Sequence, residues 1–252
     1  MNVPLRCLVL PHEDGDGPLN MARDELLLEL VSAEAGIAAL RTYGWSVPTL
    51  SLGYFQSFRD ATADPRWASR PLVRRPTGGG AIWHDQELTY ALAVPRCHPL
   101  YRRNTELYQV VHATIQELLA AAGMSAARRG GASASQADAP RPLLCFADRD
   151  AEDLVIGPHK VVGSAQRRRA GAILQHGSVL LRTSEATPEL PGAIDLTPFA
   201  RLDPAWIGEL RRRLPASLGF TTETTDWTPT QRLRAEELAE STYRHRDWLQ
   251  RR

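Results

Sequence analysis

The stretch DLVIGPHKVVGSAQRRRAGAILQHGSVLL (153–181) breaks into four short apolar runs, LVI, KVVG, GAIL and SVLL, separated by glycine, proline and histidine. Runs this short, rich in β-branched residues and bounded by turn formers, read as strands. The segment therefore predicts a strand meander. Within it sits Lys160, the only lysine in a chain whose Lys and Arg together number 30. A lone lysine on a solvated surface would carry no meaning. Its setting speaks for a chemical role, because two valines follow it and Gly157, Gly163 and Ser164 enclose it, as in a buried strand next to a tight turn. An ammonium is a compact point charge, whereas a guanidinium is a broad planar fork, so the two are not interchangeable at a crowded site.

Outward from this meander, strand and helix patterns alternate. Residues 5–11 (LRCLVLP) read as a strand. Residues 19–36 read as a helix, with Asn20 as N-cap, Asp24 and Glu25 in the first turn and Gly36 as the stop. Residues 38–45 and 48–56 read as strands, and 71–95 as two strands around a glycine turn. The clearest helix is 104–123, where Leu107, Val110, Val111, Ile115, Leu118 and Leu119 recur at helical spacing before Gly123. Residues 130–142 (GGASASQADAPRP) read as a mobile loop, and the charged C-terminal stretches as helices. The fold class expected is α/β (α+β): one domain over 1–252, a mixed β-sheet with flanking helices, with a motif core at 18–182 and a helical part at 188–252.

Composition narrows the function. The net charge is +1, which gives no electrostatic case for nucleic acid, and Arg128-Arg129, Arg167 to Arg169 and Arg211 to Arg213 read as solvated faces. No stretch approaches the length of a membrane span, and the N-terminal apolar run is too short for a signal sequence, so the expectation is a cytoplasmic protein without membrane contact. Cys7, Cys97 and Cys145 lie far apart with no C-x-x-C pair, and the seven histidines show no H-x-x-x-H spacing. Neither a disulfide framework nor a metal site is expected, and no cofactor is implied.

Two segments can carry chemistry. RRPTGGGAIWHD (74–85) places Gly78, Gly79 and Gly80 at a strand end, either as a flexible turn or as a place where backbone approaches a ligand closely. It matches neither a Walker loop nor a dinucleotide fingerprint. The second runs from Cys145 to Leu181. If the intervening residues fold back over Gly157-Pro158, Cys145 meets Lys160, and a nearby ammonium favours the reactive thiolate. The competing reading is a buried structural cysteine.

Four motifs in order, NMARDELLL (20–28), LRTYGWSVPTLSLGYFQ (40–56), RRPTGGGAIWHDQELTYAL (74–92) and the 153–181 segment, make the chain resemble the lipoate-protein ligase and octanoyltransferase family. The resemblance covers roughly residues 18–182 and implies a biotin/lipoate-protein-ligase-like fold. It also implies an acyl pocket walled by the GGG strand and the lysine strand, with Lys160 at the acyl carbonyl, where a guanidinium would displace the substrate. Ligases of the family activate lipoate with ATP, need no cysteine and commonly carry an accessory domain, for which the 71 residues after the last motif leave little room. One transferase branch has its cysteine upstream of the lysine motif, as Cys145-Phe146 stands here; Pro158-His159 departs from the family's usual basic pair.

The resemblance thus implies an octanoyltransferase with Cys145 as nucleophile and Lys160 beside it. The donor would be octanoyl-acyl carrier protein, and the acceptor a lysine of the glycine cleavage H protein or of a lipoyl domain. Backbone N–H groups around Gly79-Gly80 or Ser164-Ala165 would stabilise the oxyanion. Arg75, Thr77, Gly78, Gly163, His84 and His176 are the further substrate-site candidates, the two histidines as proton carriers or pocket walls. Val161, Val162 and Leu174 are expected to line the acyl chain. An ATP-dependent lipoate ligase, an octanoyl amidotransferase and a non-catalytic acyl-binding protein remain the alternatives.

Overall fold

The computed structural model describes residues 5–130, 142–147, 150–203 and 205–252. In chain order the elements are β1 (Arg6–Val9), α1 (Gly17–Ala33), β2 (Ile37–Tyr43), β3 (Thr49–Leu52), α2 (Phe58–Ala63), α3 (Pro65–Ala68), β4 (Leu72–Arg74), β5 (Ile82–His84), β6 (Glu87–Pro95), α4 (Asn104–Ala121), β7 (Ala127–Arg128), β8 (Leu154–Ile156), β9 (His159–Arg169), β10 (Ala172–Leu180), α5 (Ala205–Ser217), β11 (Thr221–Thr224), α6 (Pro229–Leu238) and α7 (Arg246–Leu249). An eight-stranded sheet runs β11-β1-β2-β6-β10-β9-β8-β7, and a three-stranded sheet runs β4-β3-β5. β1 pairs in parallel with β2 and β11, while the β2-β6-β10-β9-β8-β7 stretch is antiparallel.

Alternation along the strands builds a core on each face of the large sheet. On β2, Ala38 and Leu40 face the cluster formed with Val111, Ile115 and Leu118 of α4 and Leu210 of α5. Ala39 and Tyr43 face the other cluster, with Leu26, Leu27 and Val31 of α1 and Leu238 of α6. A smaller cluster around Leu50, Trp67 and Trp83 belongs to the three-stranded sheet. The mixed sheet with helices on both faces is the α/β architecture expected from the sequence.

Several details differ. Helix α1 starts earlier than expected because Asp16, not Asn20, caps it: the Asp16 carboxylate accepts from Leu19 N at 2.9 Å, and Pro18 occupies the first turn. Asn20, Asp24 and Glu25 are consequently buried. Residues 71–95 form three strands, and the glycines lie in a loop after β4 has ended at Arg74. β4 and β5 do not pair across that loop; β3 runs between them. The C-terminal part contains a strand, β11, which extends the large sheet through β1. Helix α4 ends before Gly123, whose φ of +84° suits glycine. Most of the expected 130–142 loop lies outside the described residues.

Candidate active site

β9 begins just after a turn in which Gly157 has φ +59°, and it places Lys160 against β8. The β8–β9 ladder slips by one residue, pairing Val155 with Lys160 and Leu154 with Val162, so Val161 is the extra residue of a bulge. Such a bulge bends the strand and re-aims its side chains. Val161 and Val162 both enter the core, and the Lys160 side chain is buried in the opposite environment.

Cys145 arrives from another direction. Its short helical turn, Cys145–Ala147, is held by Cys145 N donating to Ala81 O at 2.7 Å, while Ala81 N donates to Leu143 O at 2.8 Å. The end of the glycine loop and the cysteine segment are thus stitched together. Gly80 makes this possible, since a Cβ there would stand 3.0 Å from both the backbone N and the Cα of Cys145.

The Lys160 ammonium fills all three donor positions. It donates to Asp153 Oδ2 at 2.9 Å, to Cys145 O at 3.2 Å and to Cys145 Sγ at 3.4 Å, with the Phe146 ring 5.5 Å away. Burial alone would pull the lysine down, but Cys145 and Asp153 outweigh it and hold Lys160 above its ordinary range. Burial pushes the Asp153 carboxyl up, and Lys160 opposes that shift. A cysteine, an ammonium and a carboxylate therefore form one line, in which the ammonium can stabilise a thiolate or an oxyanion and hand a proton on. Asp153 was not among the residues singled out from the sequence, although it opens the segment that was.

Beside Cys145 lies a narrow chamber of about 40 Å³. Of the expected residues, Arg75, Gly79, His84, Gly163, Ser164, Ala165 and His176 line it together with Cys145. Thr77, Gly78 and Gly80 do not line it. Lys160 instead borders a neighbouring cavity of about 220 Å³, with Phe146 and His159. Val161, Val162 and Leu174 are not walls; they sit in the two sheet cores, and Met21, Tyr43, Trp45 and Ile82 supply the apolar lining.

The polar groups around the chamber are committed to one another. His176 lies between Asp24 Oδ2 (2.8 Å from Nδ1) and Thr77 Oγ1 (2.6 Å from Nε2). Asp24 also accepts from Arg41 Nη1 and from the Tyr43 hydroxyl, both at 2.9 Å. The Asp24 carboxylate thus accepts from His176 Nδ1, and the Thr77 hydroxyl meets Nε2. His84 lies between Glu87 Oε1 (2.5 Å) and Ser51 Oγ (2.7 Å) and stacks on Trp45 at 3.8 Å between centroids. Burial pulls His84 below its ordinary value against the pull of Glu87. Both imidazoles are anchored at both nitrogens.

A third imidazole, His112 of α4, repeats the pattern. Its Nδ1 donates to Glu152 O at 2.5 Å, leaving Nε2 to accept the Ser164 hydroxyl at 2.6 Å; Ser164 in turn accepts from the Tyr90 hydroxyl at 2.6 Å. Burial pulls His112 down and pushes Tyr90 up to about 12. His112 thus ties the residue preceding Asp153 to Ser164 on β9. The sequence carried one signal for it, an imidazole beside Val111 on the apolar face of α4. Arg75 has a similar structural duty: its Nη2 donates to Gly78 O at 2.7 Å and Gly80 O at 2.6 Å, and its Nη1 to Ser51 O at 3.0 Å, pinning the glycine loop. Burial pulls its guanidinium down to about 10, still a cation at neutral pH. Its Nε is the only nitrogen or oxygen of a chamber-lining side chain that is buried without a partner among the described residues.

Because nearly every polar lining atom is satisfied within the protein, what remains for a ligand is carbon surface. Such walls suit a saturated chain, since a polar ligand would find its hydrogen-bonding partners already occupied. Among the described residues there is no group of three or more His, Cys, Asp or Glu side chains that could hold a metal ion, and no helix long and apolar enough to cross a membrane.

Residues 16–189 match the family model of the lipoyl protein ligase A/B catalytic domain. The chain is 41% identical over 173 residues to octanoyltransferase LipM of Anoxybacillus flavithermus, covering 66% of this chain and 62% of that protein. It is 40% identical over 172 residues to octanoyltransferase LipM of Bacillus subtilis, with the same coverage. The match thus spans somewhat over three fifths of the length of these relatives. Among solved structures, lipoate-protein ligase A bound with ATP superposes with a TM-score of 0.70 at 21% identity, over 98% of this chain and 99% of that one. The bipartite lipoate protein ligase of Thermoplasma acidophilum superposes with a TM-score of 0.69 at 19% identity, over 99% and 97%. At such identities these structures establish the fold. With the family model covering most of the chain, the protein belongs to the lipoyl protein ligase A/B catalytic-domain family.

Proposed function

We propose that the protein is an octanoyltransferase that carries the acyl group on Cys145, with residues 1–252 acting as one catalytic unit. The observation that carries this reading is the Cys145 Sγ to Lys160 Nζ distance of 3.4 Å, with Asp153 on the far side of the ammonium. The octanoyltransferase name of relatives near 40% identity supports the choice of acyl group, as does a chamber whose polar walls are internally satisfied.

In the first half-reaction the Cys145 thiolate attacks the carbonyl carbon of octanoyl-acyl carrier protein. The Lys160 ammonium and backbone N–H groups near Gly79-Gly80 or Ser164-Ala165 hold the oxyanion, and Arg75 Nε supplies a further donor. The carrier C–S bond breaks, and the carrier sulfur takes a proton from the Lys160 ammonium and leaves as a thiol. In the second half-reaction the amine of a lipoyl-domain or H-protein lysine attacks the Cys145 thioester. Cys145 leaves as thiolate, and the surplus amine proton returns to Lys160, restoring the ammonium between Cys145 and Asp153. His84 and His176 shape the chamber and hold the glycine loop through Ser51 and Thr77.

Intact-mass measurement after mixing with octanoyl-acyl carrier protein tests this. The protein gains one octanoyl group without ATP, and Cys145→Ala does not. Acylation that requires ATP, or that survives Cys145→Ala, overturns the reading in favour of a ligase.

A further inference from the structure

The C-terminal segment neutralises its arginines unevenly. Arg232 holds Glu13 and Asp226, Arg234 holds Glu29 and Glu237, and Arg244 holds Asp16, Glu236 and Glu240. Arg251 and Arg252, a few residues on, make no ion pair among the described residues. Arg251 lies over the rings of Tyr54 and Trp248, at 4.3 Å and 4.8 Å, and Arg252 lies 5.3 Å over Phe55. Cation–π stacking holds a guanidinium in place while leaving its charge uncancelled.

Beneath them the excess deepens. Arg74 is fully buried, and its partners are all carbonyls: Gly53 O at 2.8 Å, Tyr54 O at 3.2 Å, Gln56 O at 2.8 Å and Leu249 O at 2.8 Å. Arg167 also stacks on Tyr54, at 5.1 Å, and donates to Pro76 O at 2.5 Å. The adjoining groove, of about 790 Å³, does contain Glu25 and Asp247. Glu25, however, is occupied by Arg169 and the Tyr243 hydroxyl. In the middle of the cations Phe55 is 68% exposed. Its ring packs against Gly78, next to the chamber-lining Gly79.

We propose that this surface, Arg251 and Arg252 around Phe55, docks the acidic face of the acyl carrier protein that presents the thioester. The inference rests on the transferase reading above. A patch of fixed positive charge with an apolar centre fits an acidic surface carrying a small hydrophobic contact, and charge complementarity of this kind steers encounter. The position favours the donor over the acceptor. The patch sits outside the glycine loop, which a thioester on a long prosthetic arm can round, whereas a lysine side chain must be presented at the chamber mouth itself.

The test compares two donors, octanoyl-acyl carrier protein and octanoyl-pantetheine, which has the reacting thioester but no protein surface and no phosphate. In Arg251→Gln/Arg252→Gln, KM for the carrier protein rises about three- to tenfold while the rate with octanoyl-pantetheine is unchanged. The wild-type KM for the carrier climbs with salt between about 50 and about 300 mM, and that of the double variant does so much less. Arg251→Lys/Arg252→Lys, which restores the charge, returns KM towards wild type. An unchanged, salt-insensitive KM overturns the proposal, as does an equal loss with both donors, which would make the patch structural. A defect that appears only when the acceptor protein is varied reassigns the surface and overturns it too. If wild-type protein accepts octanoyl from neither donor, the transferase reading falls and this inference with it.

Discussion

Gly163 lies directly under the Lys160 side chain: a Cβ at Gly163 would stand 2.5 Å from Lys160 Cε and 3.0 Å from Nζ. The ammonium reaches Asp153 and Cys145 only because position 163 has no side chain. Gly163→Ala therefore displaces Lys160 while leaving the sheet pairing in place. We expect acylation of Cys145 to slow by about 10²-fold, the scale on which misplacing a catalytic group by about 1 Å acts, with an unchanged circular dichroism spectrum. Normal single-turnover acylation by Gly163→Ala would show that the position of Lys160 does not matter.

Asp153→Asn leaves a buried ammonium without its carboxylate. Breaking a buried pair from one side costs about 3–5 kcal/mol, and the lower end applies here because Lys160 keeps the Cys145 carbonyl. For a chain of this size that is a fall of roughly 6–12 °C in Tm. Burial would then act on Lys160 with one less opposing charge, so its pKa falls, and the alkaline limb of the acylation rate moves to lower pH. A variant with wild-type Tm and an unmoved alkaline limb would remove Asp153 from the site.

These two residues mark what the sequence could and could not reveal. The meander around Lys160 was legible because glycine and proline punctuate it, and Cys145 because it precedes the lysine motif. Asp153 stood in the quoted segment, but a carboxylate at the start of a strand looks like a solvated end; only the fold shows it buried against Lys160. The cap of α1 was readable in Asp16-Gly17-Pro18, a stronger start signal than Asn20. Two strands around a glycine turn would pair with each other if they formed a hairpin. Arg75 pins the loop instead, and β3 separates them. Val161, Val162 and Leu174 were expected to line the chamber because they flank the motif, but strand alternation and the bulge at Val161 send them into the cores.

Acid should weaken the fold through its buried imidazoles. Burial holds His84 and His112 below the ordinary histidine value of about 6.5. Between that value and the lower folded ones, the unfolded chain binds protons that the native state does not. Their stabilising contribution is therefore complete above about pH 6.5 and is lost as pH falls through the folded values. We expect Tm to drop as pH is lowered from about 7 to about 5, and the drop to shrink in His112→Gln, which has no proton to take up. Parallel Tm curves for the two proteins would mean that His112 does not titrate in this range.

The corrected chamber walls make acyl selectivity a question about Met21, Tyr43, Trp45 and Ile82. An acyl chain against their carbon faces would gain about 0.8 kcal/mol per buried CH₂, or roughly fourfold in acylation efficiency. Wild-type protein should thus lose about 15-fold on going from eight to six carbons, and fall more abruptly at ten, where a close-packed wall must move. Met21→Trp fills part of the space and should shift the preference towards six carbons without changing the chemistry at Cys145. Val162→Ala, in the core behind β9, should lower Tm with little change in the length profile. Single-turnover acylation with six-, eight- and ten-carbon thioesters reads both variants. If Val162→Ala shifts the preference and Met21→Trp does not, the acyl chain lies along the motif strand, as the sequence expectation had it, rather than in this chamber.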